Sequence, residues 1–165
     1  MPACGLSVAI AALLLASAAA AHAQKQPLKW GPGPASLPAG ARMAVVSGDP
    51  RKAGPFTVQL ELPDGFTVRP HFHPADEHQT VISGRIGHGF GDTIDMKSMT
   101  WLRAGQSGVL PANAHHYAIA RGRTVVRVSS IGPLTVTYVN PKDDPRVRGC
   151  GGAGVWECGS AGVVD

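Results

Sequence analysis

Between Met43 and Asn140 no window keeps helical spacing; glycine and proline cut the stretch into short runs that alternate apolar and polar residues. Phe56-Thr-Val-Gln-Leu-Glu-Leu62 alternates strictly, as a half-buried strand does. Pro63-Asp64-Gly65 follows as a turn, because Gly65 can take positive φ. Phe66–His73 alternates again, which predicts Phe66, Val68 and Phe72 on one face and Thr67, Arg69, His71 and His73 on the other. Further strands are expected at Gln79–Ser83, closed by Gly84, and at Ile86–Phe90, Thr100–Leu102, Gly108–Leu110, Tyr117–Ala120, Thr124–Ile131 and Leu134–Val139. With 21 glycines and 14 prolines in 165 residues, this pattern predicts an all-β chain, an antiparallel barrel or sandwich of short strands.

The flanks read differently. Residues 6–21 form an uncharged, alanine-rich apolar run followed by Ala21-His22-Ala23, the layout of an export signal cut after Ala23; a retained anchor is the alternative. Cleavage implies a periplasmic or secreted protein with no stable membrane span, since the run is too short and weakly apolar for one. Residues 24–42 carry Pro27, Pro32, Pro34 and Pro38 and read as an irregular arm. The barrel is expected over 43–141, and 142–165 reads as a glycine-rich tail. In an oxidising compartment Cys150 and Cys158 can pair, closing a short loop for about 2.5 kcal/mol in the chain-entropy account, or remain two free thiols. Net charge is +4, with scattered basic residues and nine aromatics, which speaks against a nucleic-acid surface.

The chemistry concentrates in one segment. Gly65-x5-His71-x-His73-x3-Glu77-x6-Gly84 places two histidines two residues apart on a strand, hence on one face. Glu77 opens the next strand after Pro74-Ala75-Asp76, where it can face back at them, and Gln79 shares its parity. Gly105-x5-Pro111-x-Asn113-x2-His116 follows. The chain holds only three glutamates and seven histidines, so composition does not account for both segments in this order.

The two segments resemble the conserved motifs of the cupin superfamily. The first matches at every specified position; the second matches at Gly105, Pro111 and His116. Asn113 stands where the pattern has Gly, a mild departure because Asn tolerates left-handed backbone, and Ala120 stands where it has Asn. The resemblance implies a single cupin barrel, a double-stranded β-helix or jelly roll, with a divalent metal at its open end held by His71, His73, Glu77 and His116. Imidazoles and a carboxylate suit Fe(II), Mn, Ni, Cu, Zn or Co, and converging them in an interior without a cation is costly.

Other polar residues carry weaker expectations. By parity His115 and His78 face away, His115 being the substitute ligand if the turn shifts by one residue. Asp76 is either an exposed turn carboxylate or an orienting partner for a histidine. Arg69 and Gln79 share the ligand face and are the candidate substrate-pocket residues, Arg69 otherwise being a solvated rim residue. Trp101, Phe90 and Tyr117 read as core or dimer contacts, and a homodimer is common among barrels of this resemblance. Two functions are expected to compete: a metal-dependent oxygenase, isomerase or lyase on a small organic molecule, and a non-catalytic module that binds or senses a small ligand.

Overall fold

Alternation, glycine and proline translate into nine strands in a computed structural model that describes residues 27–148. In chain order they are β1 (Gly31–Pro32), β2 (Arg42–Ser47), β3 (Gly54–Leu62), β4 (Thr67–Phe72), β5 (Glu77–Phe90), β6 (Thr100–Arg103), β7 (Ser107–Leu110), β8 (His116–Gly132) and β9 (Thr137–Tyr138). A 3-10 turn at Pro141–Asp143 and the one-turn helix α1 (Pro145–Arg148) close the described chain. Residues 1–23, expected as an export signal, and both Cys150 and Cys158, expected as a disulfide or two free thiols, lie outside the described residues.

All pairings are antiparallel, and two long strands organise them. β8 runs beside β5 from the pair Phe90–His116 to the pair His78–Ser129. Its other edge is shared: the His116–Ile119 half meets β4, and the Thr124–Gly132 half meets β3. β5 is likewise shared, pairing β7 at Glu77–Thr80 and β6 at Arg85–His88. The sheet therefore curls around one interior, filled by Phe56, Val58, Val68, Val81, Ile86, Ala120, Val126 and Val128 among others. The all-β class expected from alternation is the class observed.

Three strand expectations are corrected. Gln79–Ser83 and Ile86–Phe90 are one strand, because Gly84 sits in a bulge inside β5 and does not end it. Tyr117–Ala120 and Thr124–Ile131 are likewise joined in β8. Leu134–Val139 shrinks to Thr137–Tyr138, since the chain leaves β8 through a cis Gly132–Pro133 bond and Thr135 turns its carbonyl to a histidine.

Pro32 lies in the short outer strand β1, a position that tolerates the missing N–H. Leu37 reaches the core, and Tyr138 donates its hydroxyl to the Ser36 carbonyl at 2.8 Å. Residues 33–41 are thereby fixed across the barrel wall.

Candidate metal centre

The extended conformation of β4 alone does not bring His71, and His73 just beyond it, inside; a bulge does. Between Val68 and His71 the register with β8 slips by one residue, so both side chains face the interior. Pro70, which has no N–H for the ladder, occupies the slip. The slip also corrects two face assignments. Arg69 is exposed, with Nε 3.7 Å from Asp143 Oδ1, and does not share the ligand face; Phe72 is turned away from the core.

His71 lies directly across from His116, the first residue of β8, and their ring centroids are 4.3 Å apart. His73, just past β4, stands 4.9 Å from His71 and 5.1 Å from His116 by the same measure. The ligand nitrogens of the three all lie within 4.8 Å of one another, and all three side chains are buried. Glu77 opens β5 opposite Leu110 and directs Oε2 to His73 Nε2 at 3.0 Å.

Each ring is oriented by its other nitrogen. Nδ1 of His71 donates to the Arg69 carbonyl at 2.7 Å, that of His73 to Thr135 at 2.6 Å, and that of His116 to Ala114 at 2.8 Å. Nδ1 thus carries the proton in each ring, and the Nε2 lone pairs of His71 and His116 are left for a cation. His116 Nε2 is buried with no partner at all. A buried polar atom without a partner is costly, and a ligated cation removes that cost. The donor set therefore fits a divalent transition metal.

The electrostatics agree. Burial, reinforced by the neighbouring His116 and His73, pushes His71 down to about 3, and burial lowers His116, so both rings are neutral near pH 7. Burial works against a charge on Glu77, but His73 and Gln79 outweigh it and hold the carboxyl at about 2. For His73 burial is likewise outweighed, here by Glu77 and the Thr135 carbonyl, and its pKa is raised. His73 and Glu77 are thus an ion pair in the metal-free arrangement.

The second motif is tied to the first through its turn. Asn113 takes φ 60, the left-handed geometry its position requires, and its N–H donates to the His73 carbonyl at 2.7 Å. Asp76 is exposed and accepts the Ala112 N–H at 2.7 Å, holding the same turn; it touches no histidine ring. Ala120 is buried and makes main-chain hydrogen bonds with Gly65 and Phe66.

His115 faces outward, stacked on Phe72 and hydrogen-bonded to Asp92 at 2.6 Å; His78 is exposed. Tyr117 is wholly buried, the Arg85 and Arg121 guanidiniums lie over the Trp101 ring, and Phe90 is exposed.

One buried residue escaped the sequence reading. His88 donates from Nε2 to Gln79 Oε1 at 2.7 Å, and Gln79 Nε2 in turn donates to Glu77 Oε1. Gln79, expected as a pocket residue, is buried on the ligand face as the middle of this chain. Two register slips between Val81 and Arg85 turn His88 inward, so parity counted from Glu77 misplaces it.

Solved structures share this architecture. The polyketide cyclase RemF from Streptomyces resistomycificus matches at 17% identity with a TM-score of 0.51, covering 64% of this chain and 75% of that one. KdgF from Halomonas sp. matches at 19% identity and 0.50, covering 65% and 89%. An RmlC-like cupin from Shewanella frigidimarina matches at 15% and 0.47, covering 56% and 76%. No family model matches the chain, and no curated protein matches it. What the likeness shows is the fold, an all-β barrel of antiparallel strands of the jelly-roll kind. The interior of this barrel carries three inward histidines close enough to bind a metal.

Proposed function

We propose that the protein binds one divalent transition metal through His71, His73, His116 and Glu77 and uses it in an enzymatic reaction on a small organic molecule, as an oxygenase, isomerase or lyase. The observation that carries the reading is the unpartnered His116 Nε2, buried among two further inward histidines whose Nδ1 protons are already committed. When bound, such an ion supplies Lewis acidity to a substrate oxygen and an anchor for a second reactant. The protein's own part is to keep the His71 and His116 rings neutral and all three rings correctly turned, to hold Glu77 ionised through His73 and Gln79, and to exclude water with the apolar barrel wall.

A second reading has its own support. Apart from the four expected ligands and Gln79, every residue lining the interior cavity is apolar, so no separate acid or base faces it among the described residues. That composition suits a non-catalytic module that captures a small ligand.

The proposed site of action is outside the cytoplasm, which intact-mass analysis of exported protein tests by looking for a chain beginning at Gln24.

Elemental analysis tests the metal centre. The parent should carry about one equivalent of metal, and His71→Ala and His116→Ala should each lose it while keeping the β-sheet circular dichroism spectrum. Full metal content in both variants would sink the reading. Metal in the parent without turnover of any small-molecule panel, but with ligand-dependent stabilisation, would favour the binding module.

A further inference from the structure

The interior cavity that the metal centre faces has a volume of about 50 Å3. Its walls are Leu37 from the N-terminal arm, Leu134 and Val136 from the segment after β8, and Leu60, Val68 and Ile86 from the sheet, among other apolar side chains. The polar lining is confined to His71, His73, Glu77, His116 and Gln79. Once four of these hold an ion, only Gln79 remains. Both ends of its amide are engaged, Nε2 with Glu77 and Oε1 with His88. No lysine, arginine or hydroxyl side chain lines the space among the described residues.

We infer that this site takes a small monofunctional molecule, with one donor group for the metal, an apolar remainder and no second polar function. The inference rests on the metal centre proposed above. Size sets the first limit: a dry apolar cavity of about 150 Å3 admits benzene, so a third of that volume admits roughly two to four non-hydrogen atoms. Polarity sets the second. A second hydroxyl or carboxylate turned away from the ion would be stripped of water against leucine and valine with no partner to receive it, and one turned to the ion as a chelate needs more room than the cavity gives; either weakens binding by about tenfold or more. Sugars, hydroxy acids and dicarboxylates are thereby disfavoured.

The test uses the purified full chain loaded with Zn2+, its occupancy fixed by elemental analysis, and calorimetric titration with acetate, glycolate and oxalate. For the ion free in water, the chelating ligands glycolate and oxalate bind more tightly than acetate. The cavity should reverse that order, with acetate at least about tenfold tighter than either. Glycolate or oxalate binding as tightly as acetate overturns the inference and leaves the metal centre standing. A parent that retains no Zn2+ overturns both.

Leu37→Ala reads the wall independently, since removing its side chain enlarges the cavity from the arm side. It should move the preference from acetate to propionate or butyrate. Leu134→Ala makes the same reading from the opposite wall if the first variant does not fold. An unchanged chain-length preference in a folded variant would place the ligand outside the cavity and overturn the inference.

Discussion

His88 and Gln79 do for Glu77 what three backbone carbonyls do for the histidine rings. Gln79 can donate to only one carboxylate oxygen in a fixed direction because His88 Nε2 occupies its carbonyl end. Removing that donor frees the amide to rotate and leaves its oxygen unpaired in a buried site. His88→Leu should therefore weaken metal binding by about tenfold or more, as partners of ligands generally do. His88→Gln retains a donor and should hold affinity within a few fold. Competition titration against a chromophoric chelator measures both; equal losses in the two variants would reduce His88 to a packing residue. The clustering of His71, His73 and His116 was legible, because their spacing is read along a short stretch of strand and the second motif follows at its own spacing. His88 and Arg69 were not, since a bulge reverses which face an even or odd position occupies, and bulges leave little trace in residue type. Pro70 inside an alternating run was the one available sign.

At the level of elements, the same glycines that seemed to end strands prove to bend them. Gly84 has φ +77, and a Cβ there would lie 2.5 Å from both the Arg123 carbonyl and Thr124 Oγ1. Those atoms belong to β8, whose Thr124 hydroxyl is itself bonded to Arg85 across the bulge. The close approach is what lets β5 and β8 curl together beyond the ligand cluster. Gly65 has a similar φ of +71 but open space around its missing Cβ. The two positions separate strain of the backbone from collision. Gly65→Ala should cost about 1–2 kcal/mol, the left-handed penalty alone. Gly84→Ala should cost more than about 3 kcal/mol, because the main chains of β5 and β8 must part. Urea unfolding monitored by tryptophan fluorescence distinguishes them, and equal midpoints would contradict the packing argument. Sequence located the segments that pair as β3 to β9, since alternation and turn residues are local, but it proposed no strand at β1 or β2. It divided β5 and β8 wrongly because a glycine at a bulge and a glycine at a strand end look alike until the partner strand is known.

For the molecule as a whole, burying so many imidazoles makes stability depend on pH in a direction the structure fixes. His88 is lowered to about 4, chiefly by burial, against an ordinary value of 6.5. A folded-state histidine pKa below the unfolded one means that the unfolded chain binds more protons between the two values. Stability from His88 is therefore complete above pH 6.5 and lost as pH falls towards 4. His71, lowered to about 3 mainly by burial, acts in the same sense over a wider window, and Glu77 at about 2 adds loss at still lower pH. His73 acts oppositely: its raised pKa contributes stability below 6.5 that fades as pH rises through the folded value. The metal-free protein should thus weaken steadily below pH 6.5. His88→Gln removes one of the titrating groups and should lessen the slope by up to about 1.4 kcal/mol per pH unit between 6.5 and 4. Metal adds a further dependence, since a ligand present at a hundredfold excess over its Kd stabilises by about 2.7 kcal/mol. Protons compete for the same histidine nitrogens, so that gain should shrink on acidification. Denaturant midpoints with and without Zn2+ at pH 7.5 and 5.5 measure it. A gain that is undiminished at the lower pH would mean the ion is bound somewhere other than the three histidines.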